Sequence, residues 1–307
     1  MKLILSFNFF IGFFAIHSGF GKTFKEIQKN SEAIFLTKNF DSSYQYRQPS
    51  FFKELCNNII IQTHAPFHIK QESSLKACAG VAITIGLIFL DQSIDNKVRY
   101  FNSRHKDIGT VSNYVTELGG NYGLGMSALF AGFSYLTHNK KGIQTSRLLA
   151  QSLITTTLWT RFGKSLTGRK RPFNFYGSSV TDKTKQWSGP FILLTEKGET
   201  MPGSSWDSFP SGHTSTAFAI ATVFATQYKD QTVVPILSYT LASVVGLTRM
   251  TEHEHWASDV FVGACLGYLC AKQVCNNVLK EKMDKKELSF YADYLNNKFT
   301  AGCFISF

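Results

Sequence analysis

Ser208-Phe209-Pro210-Ser211-Gly212-His213-Thr214-Ser215 opens the most informative helix of the chain. Ser211 stands where an N-cap residue is wanted, and the free backbone N–H groups of the first turn behind it form a ready anion site. Gly212 lets a bulky anion approach the main chain, and His213 stands in the first turn beside whatever binds there. An ordinary cap followed by a helix histidine is the plainer explanation of this stretch on its own. The rest of the chain decides between the two.

Working outward, six apolar, helix-like runs occupy about 75–91, 111–137, 143–168, 212–228, 232–248 and 256–280. Short turns join them, except for a 172–208 connection rich in Gly, Ser, Thr and Trp. A long irregular loop in a compact domain is more often functional than idle. The fold class expected is all-α, a helical bundle of about six core helices, with a possible short C-terminal β-hairpin. The hairpin comes from the alternation of Leu288 to Phe307 around Asn296-Asn297-Lys298.

The chain has 307 residues, 44% hydrophobic and 14% aromatic, with a formal charge of +11. That composition excludes a mostly disordered chain, and no fixed-period repeat or heptad seam points to a solenoid or coiled coil. Residues 1–21 run apolar from Leu3 to Ile16 and end in small residues, as a signal peptide or N-terminal anchor does. Residues 22–74, broken by Pro49 and Pro66, read as an N-terminal extension of short helices and loops. The domain then runs over 75–280, with a tail at 281–307.

Two other segments concentrate unusual residues. Between Arg161 and Thr181 five basic residues, Arg161, Lys164, Arg169, Lys170 and Arg171, occur with no acid. Lys164 and Arg171 are two helical turns apart and project toward one point if the helix persists, with Pro172 as a stop. Such a cluster is either a solvated cap on a helix dipole or an anion clamp. The stretch Thr248-Arg249-Met250-Thr251-Glu252-His253-Glu254-His255-Trp256-Ala257-Ser258-Asp259 places His255 and Asp259 four apart, on one helical face. A carboxylate there can hold one imidazole nitrogen and raise the nucleophilicity of the other. A structural His–Asp pair is the alternative. Glu252, His253 and Glu254 lack the helical spacing of a zinc site.

Up-down connectivity brings all three segments to one end of the bundle. Fixed cations, a helix N-terminus and two histidines are what phosphoryl transfer needs: positive groups around the equatorial oxygens, an in-line nucleophile and a proton donor.

Lys164-x6-Arg171-Pro172, Pro210-Ser211-Gly212-His213 and Arg249-x5-His255-x3-Asp259, in that order, resemble the three-part signature of the type 2 phosphatidic acid phosphatase superfamily. The match extends over about 75–275, and Thr248 replaces the Ser common before the Arg. The resemblance implies a metal-independent phosphatase with catalytic residues His255, His213 and Asp259. It implies phosphate-binding residues Lys164, Arg171, Ser211, Gly212 and Arg249. His255 would form a phosphohistidine, oriented by Asp259, and His213 would protonate the leaving alkoxide. No cofactor is implied. Vanadate is expected as an inhibitor, or as the cofactor of the vanadium-dependent haloperoxidases that share this scaffold; a non-catalytic anion-binding envelope protein is the other alternative. The expected partners are a phosphorylated lipid or a small phosphomonoester and a possible membrane surface, with no nucleic acid.

The runs 118–139, 208–228 and 231–248 approach the length of a membrane span. Ala77–Leu90, Leu148–Thr160 and Val260–Ala271 have core-helix lengths between flanking charges. With a mean hydropathy of −0.06, this favours an extracytoplasmic, periplasm-facing bundle, soluble or membrane-associated, over a six-span enzyme, with integral membrane as the alternative. The cysteines at 56, 78, 265, 270, 275 and 303 show no CxxC spacing. An extracytoplasmic address permits a disulfide such as Cys56 with Cys303 without assigning one.

Overall fold

Helix α5 (Lys140–Thr167) carries Lys164 in its last turn and buries a largely polar face. Asn139 caps its start, accepting the Gly142 N–H at 3.0 Å, and Gly168, at φ 50°, ends it in a left-handed turn. Its interior face is polar: Thr145, Ser146, Gln151, Ser152, Thr155, Thr156 and Thr160 are all buried. Several of these hydroxyls bond to the carbonyl one turn back, as Thr145 does to Lys141 at 2.8 Å and Ser146 to Gly142 at 2.9 Å. Such back-bonding meets those donors inside the helix, whereas the Ser152 and Thr160 hydroxyls are buried without a hydrogen-bond partner among the described residues. The outward face carries Ile154, Leu158, Phe162 and Leu166, all exposed.

The structure is a computed structural model that describes residues 50–69, 71–105, 107–173, 186–190, 206–284, 288–295 and 298–305. The expected signal segment 1–21, residues 22–49 of the extension and much of the 172–208 connection lie outside the described residues. The other helices among the described residues are α1 (Phe51–His64), α2 (Gln71–Arg104), α3 (Asp107–Thr116), α4 (Asn121–Leu136), α6 (Gly212–Gln227), α7 (Val233–Thr251) and α8 (Ala257–Asp284); α1, α4, α6 and α8 pack against α5. The tail forms the expected hairpin, β1 (Leu288–Leu295) antiparallel to β2 (Lys298–Ile305), from Leu288 opposite Ile305 to Leu295 opposite Lys298.

Two helical boundaries differ from expectation. The run 111–137 is two helices, because a 3-10 turn at Glu117–Gly119 and Gly120 break it. The first run does not stop at Asp91; α2 continues to Arg104, and Ser73–Arg104 is long and apolar enough to cross a membrane. Asp91 fails to end the helix because its charge is paired inside the bundle, against Arg169. Val233–Thr251 passes the same test.

Helix α1, within the expected extension, docks on α5 and α8 through amides. Asn58 Nδ2 donates to Gln151 Oε1 at 2.9 Å, Gln62 Nε2 to Gln273 Oε1 at 2.7 Å, and Trp159 Nε1 to Gln62 Oε1 at 2.8 Å. Meanwhile Val81, Ile85, Phe89 and Leu90 on α2, Leu129 and Leu136 on α4, and Val233, Ile236 and Leu247 on α7 are exposed. The core between α6 and α7 is apolar, built on Ala217, Ala221, Ala242 and Val245, but the buried polar face of α5 and this breadth of exposed apolar side chains depart from the usual soluble arrangement.

Helices α6 and α8 cross at very short range through Gly263 and Gly267. A carbon added at Gly267 would lie 2.1 Å from the Ser215 carbonyl oxygen, and one at Gly263 would lie 2.6 Å from that of Ser211. Small residues spaced four apart permit this approach. It holds the start of α6 against the start of α8. Cys56 is free, so the suggested Cys56–Cys303 disulfide is not formed.

Candidate active site

The three sequence segments meet at one end of the bundle, joined pairwise by main-chain hydrogen bonds. Ser208 N–H donates to the Arg169 carbonyl at 3.0 Å, Ser211 N–H to that of Asp259 at 3.0 Å, and Phe173 N–H to that of His253 at 3.0 Å. Lys164 lies in the last turn of α5, but the helix ends before Arg171. The two do not share a helical face as expected. They converge because the chain beyond Gly168 folds back, and both reach Asp207.

Lys164 Nζ donates to the Asp207 carbonyl oxygen at 2.5 Å and lies 3.3 Å from its carboxylate. Arg171 Nε donates to Asp207 Oδ1 at 2.7 Å, and its Nη1 is paired with Glu254. Arg249 pairs with Glu252 and sits 3.5 Å from Glu254 Oε2. Three buried cations are therefore gathered within reach of one carboxylate set, with Glu254 between Arg171 and Arg249. Burial alone would raise the Asp207 carboxyl; the Lys164 and Arg171 charges outweigh it and hold it below the ordinary range. Burial, against the pull of Asp207 and with the push of Arg171, brings the Lys164 ammonium down to about 8.

Ser211 takes the N-cap position of α6, but its hydroxyl pairs with that of Thr214 at 2.9 Å and makes no capping bond. This leaves the first-turn N–H groups of α6 without a side-chain acceptor from their cap. Gly212 faces Lys164: a carbon added there would stand 4.0 Å from Lys164 Cε and 3.8 Å from Thr160 Cγ2. His213 follows, its ring covered by the Gly119-Gly120 turn. A carbon at Gly120 would come within 2.9 Å of His213 Nε2. Burial, then the Arg249, Lys164 and Arg171 charges, lower the His213 pKa to about 4.

His255 is buried, just ahead of α8 rather than on it. Its Nδ1 lies 2.7 Å from the Ser208 carbonyl oxygen. A carbonyl can only accept, so Nδ1 carries the hydrogen and Nε2 keeps its lone pair. Asp259 does not hold the imidazole directly as expected. Its Oδ2 is 3.8 Å from Nδ1 and accepts instead from Ser208 Oγ at 2.6 Å and Trp256 N–H at 2.9 Å. A carboxylate in the first turn of α8 turns back to the free N–H groups ahead of the helix, which competes with the imidazole. Burial, then the surrounding Arg171, Lys164 and Arg249 charges, keep the His255 pKa well below its ordinary value.

Residues 146–282, which contain all three segments, match the family model described as the PAP2 superfamily. That stretch is similar to the PAP2 superfamily. Over 68 residues the chain is 46% identical to the lipid A 1-phosphatase of Porphyromonas gingivalis, taking in 22% of this chain and 15% of that protein. Over 141 residues it is 32% identical to lipid phosphate phosphatase 1 of Arabidopsis thaliana, taking in 40% of this chain and 41% of that one. The chain therefore spans well under half the length of these relatives. The crystal structure of Aquifex aeolicus LpxE aligns with a TM-score of 0.43 at 24% identity, covering 61% of this chain and 95% of that one.

The site also holds residues that sequence reasoning did not single out. Asp207 and Glu254 pair with the cations, and Ser208 presents both its carbonyl to His255 and its hydroxyl to Asp259. Arg169, counted only among the basic residues, is fully buried and stacked over the Trp187 ring, 4.4 Å from its centre. An acid placed beside each otherwise uniformly basic or histidine-bearing segment was the available signal. Trp187, in the 172–208 connection, packs against Arg169 and Phe209. His253, by contrast, points away to Asp95 at 2.8 Å. Among the described residues no cluster of His, Cys, Asp and Glu could hold a metal ion.

Proposed function

We propose that the protein is a phosphatase that hydrolyses a lipid phosphate ester through a phosphohistidine on His255, without a metal ion, at a membrane. The observation that carries this reading is the convergence of Lys164, Arg171 and Arg249 with His213 and His255 at the N-terminus of α6. Arg249 Nε, moreover, is buried with no hydrogen-bond partner among the described residues, a donor that an anion would satisfy.

In the first step His255 Nε2 attacks phosphorus and the P–O bond to the alcohol breaks. His213 gives its proton to the departing alkoxide oxygen. The three cations, with the Gly212 amide and Ser211, hold the equatorial oxygens. In the second step neutral His213 takes a proton from water, the water oxygen attacks phosphorus, and the P–N bond breaks to release phosphate and free His255. The site depresses His213 to about 4 when empty. Burial is the first cause of that depression and the neighbouring cations the second; a phosphate anion offsets the cations and so shifts His213 toward the protonated form that the first step requires.

The apolar exterior supports a lipid substrate over a soluble ester. Exposed α2, α4, α5 and α7 side chains form a surface suited to acyl chains, and two helices have the length and composition of spans. The relatives are named for lipid A and lipid phosphates, which fits the same substrate class. A periplasm-facing site remains part of the proposal. The test is phosphate release from a phosphorylated lipid in detergent with EDTA present: wild type turns over and His255→Ala does not. Loss of turnover in EDTA, or turnover by the variant, overturns the reading.

A further inference from the structure

Asp91 lies midway along α2, outside the PAP2-matched segment, and is buried to 1% exposure. Its Oδ2 accepts from Arg169 Nη2 at 2.7 Å and from Ser258 Oγ at 2.5 Å, and its Oδ1 accepts from the Ser258 N–H at 3.0 Å. The other arm of Arg169, Nη1, donates to Asp259 Oδ1 at 2.5 Å. Asp259 Oδ2 then stands 3.8 Å from His255 Nδ1. Asp91, Arg169, Asp259 and His255 form one buried line in which negative and positive groups alternate.

The charge count gives this line a purpose. Arg169 and Asp259 alone would neutralise each other, and no second carboxylate would be needed for pairing. Adding Asp91 leaves the triplet with one net negative charge in a place that water does not reach. Burying an excess charge is unfavourable unless an opposite charge appears beside it. When His255 takes a phosphoryl group on Nε2 while keeping its Nδ1 hydrogen, the imidazole becomes that positive charge.

We propose that Asp91 is a positioning residue for phosphoryl transfer: it balances Arg169, so that Asp259 keeps its negative charge for the cationic imidazole of His255. This rests on the phosphohistidine reading above. Asp91 acts through Arg169 and Asp259 and touches no substrate. The stacking of the Arg169 guanidinium on the Trp187 and Trp256 rings, at 4.4 and 5.4 Å, holds it in line between the two carboxylates.

The test uses the full chain in detergent with p-nitrophenyl phosphate. Asp91→Asn should lower kcat about tenfold, while KM and inhibition by vanadate stay within about twofold, because the clamp cations are untouched. The double variant Asp91→Asn with Arg169→Met again leaves one net negative charge and should recover part of the lost kcat. A purely structural role predicts the opposite, a double variant worse than the single one. Asp91→Glu keeps the charge and should keep kcat within about threefold. If Asp91→Asn does not fold, Asp91→Glu and the double variant, equal in net charge, carry the test, and inactivity of both overturns the proposal. Wild-type kcat in Asp91→Asn overturns it while leaving the phosphatase reading intact. A wild type that releases no phosphate overturns that reading, and the proposal falls with it.

Discussion

His255 Nδ1 lies 2.7 Å from the Ser208 carbonyl oxygen and 3.8 Å from Asp259 Oδ2. The main chain therefore fixes the tautomer, and the carboxylate acts by charge. Asp259→Asn should keep the tautomer and retain measurable phosphate release, with kcat lowered on the order of 10²-fold, whereas His255→Ala releases none. Ser208→Ala, which removes the 2.6 Å bond to Asp259 but keeps the carbonyl, should cost less than Asp259→Asn. The ranking of the three variants in a phosphate-release assay checks the assignment.

The depressed His213 couples anion binding to protons. Between its folded value of about 4 and its ordinary 6.5, free His213 is neutral, and an anion that offsets Lys164, Arg171 and Arg249 makes it take up a proton. Titration calorimetry with vanadate at a pH inside that window, in buffers of different ionisation heat, should show proton uptake that His213→Gln lacks. The sign for stability follows. The unfolded chain holds more protons on this residue across the window, so stability falls as pH drops from 6.5 toward 4. His213→Gln should flatten part of that fall in the melting temperature.

Lys164, at about 8, sets an alkaline limit. Above that pH the ammonium loses its proton and the clamp loses one of its three charges, so kcat/KM should decline there. Lys164→Arg, which stays charged, should move the limb upward. A decline unmoved by that variant would assign it to another group.

Glu254 pairs with both Arg171 and Arg249, so under the proposed function it competes with the substrate for them. Glu254→Gln should bind inorganic phosphate more tightly, with inhibition strengthened several-fold and about 1 kcal/mol gained, as expected for removing a like charge near the anion. Weaker phosphate inhibition would place Glu254 outside the anion's path.

Gly120→Ala puts a carbon 2.9 Å from His213 Nε2. It should lower kcat through a displaced ring while changing the melting temperature little, since the ring rather than the backbone gives way.

The three chemical segments and the hairpin were legible because each depends on local order: a cap, a helix start, a strict alternation. The break at Gly119-Gly120 interrupts what reads as one helix, although Gly-Gly between Glu117 and Asn121 is a turn signal; its place is explained by the close approach to His213 and Val245. Asp91 looked like the end of a helix because a lone acid in an apolar run implies solvent; its partner Arg169 is 78 residues away in sequence. The same distance hid Asp207 as the carboxylate shared by Lys164 and Arg171. His255 and Asp259 had the right separation for a direct bond on one helix, yet His255 precedes the helix and donates its hydrogen bond to a main-chain carbonyl instead. Mean hydropathy carried no trace of how α5 buries its Ser and Thr residues while exposing Ile154, Leu158, Phe162 and Leu166, an arrangement that an average erases.

The most direct measurement of the central claim is the covalent intermediate. In His213→Ala, p-nitrophenyl phosphate needs no proton donor for its leaving group, while the second step lacks its base, so the intermediate should accumulate. With EDTA present, quenching in base followed by peptide mass spectrometry should find an acid-labile phosphoryl group on the peptide bearing His255. Release of p-nitrophenolate with no adduct, or an adduct on another residue, would contradict the account.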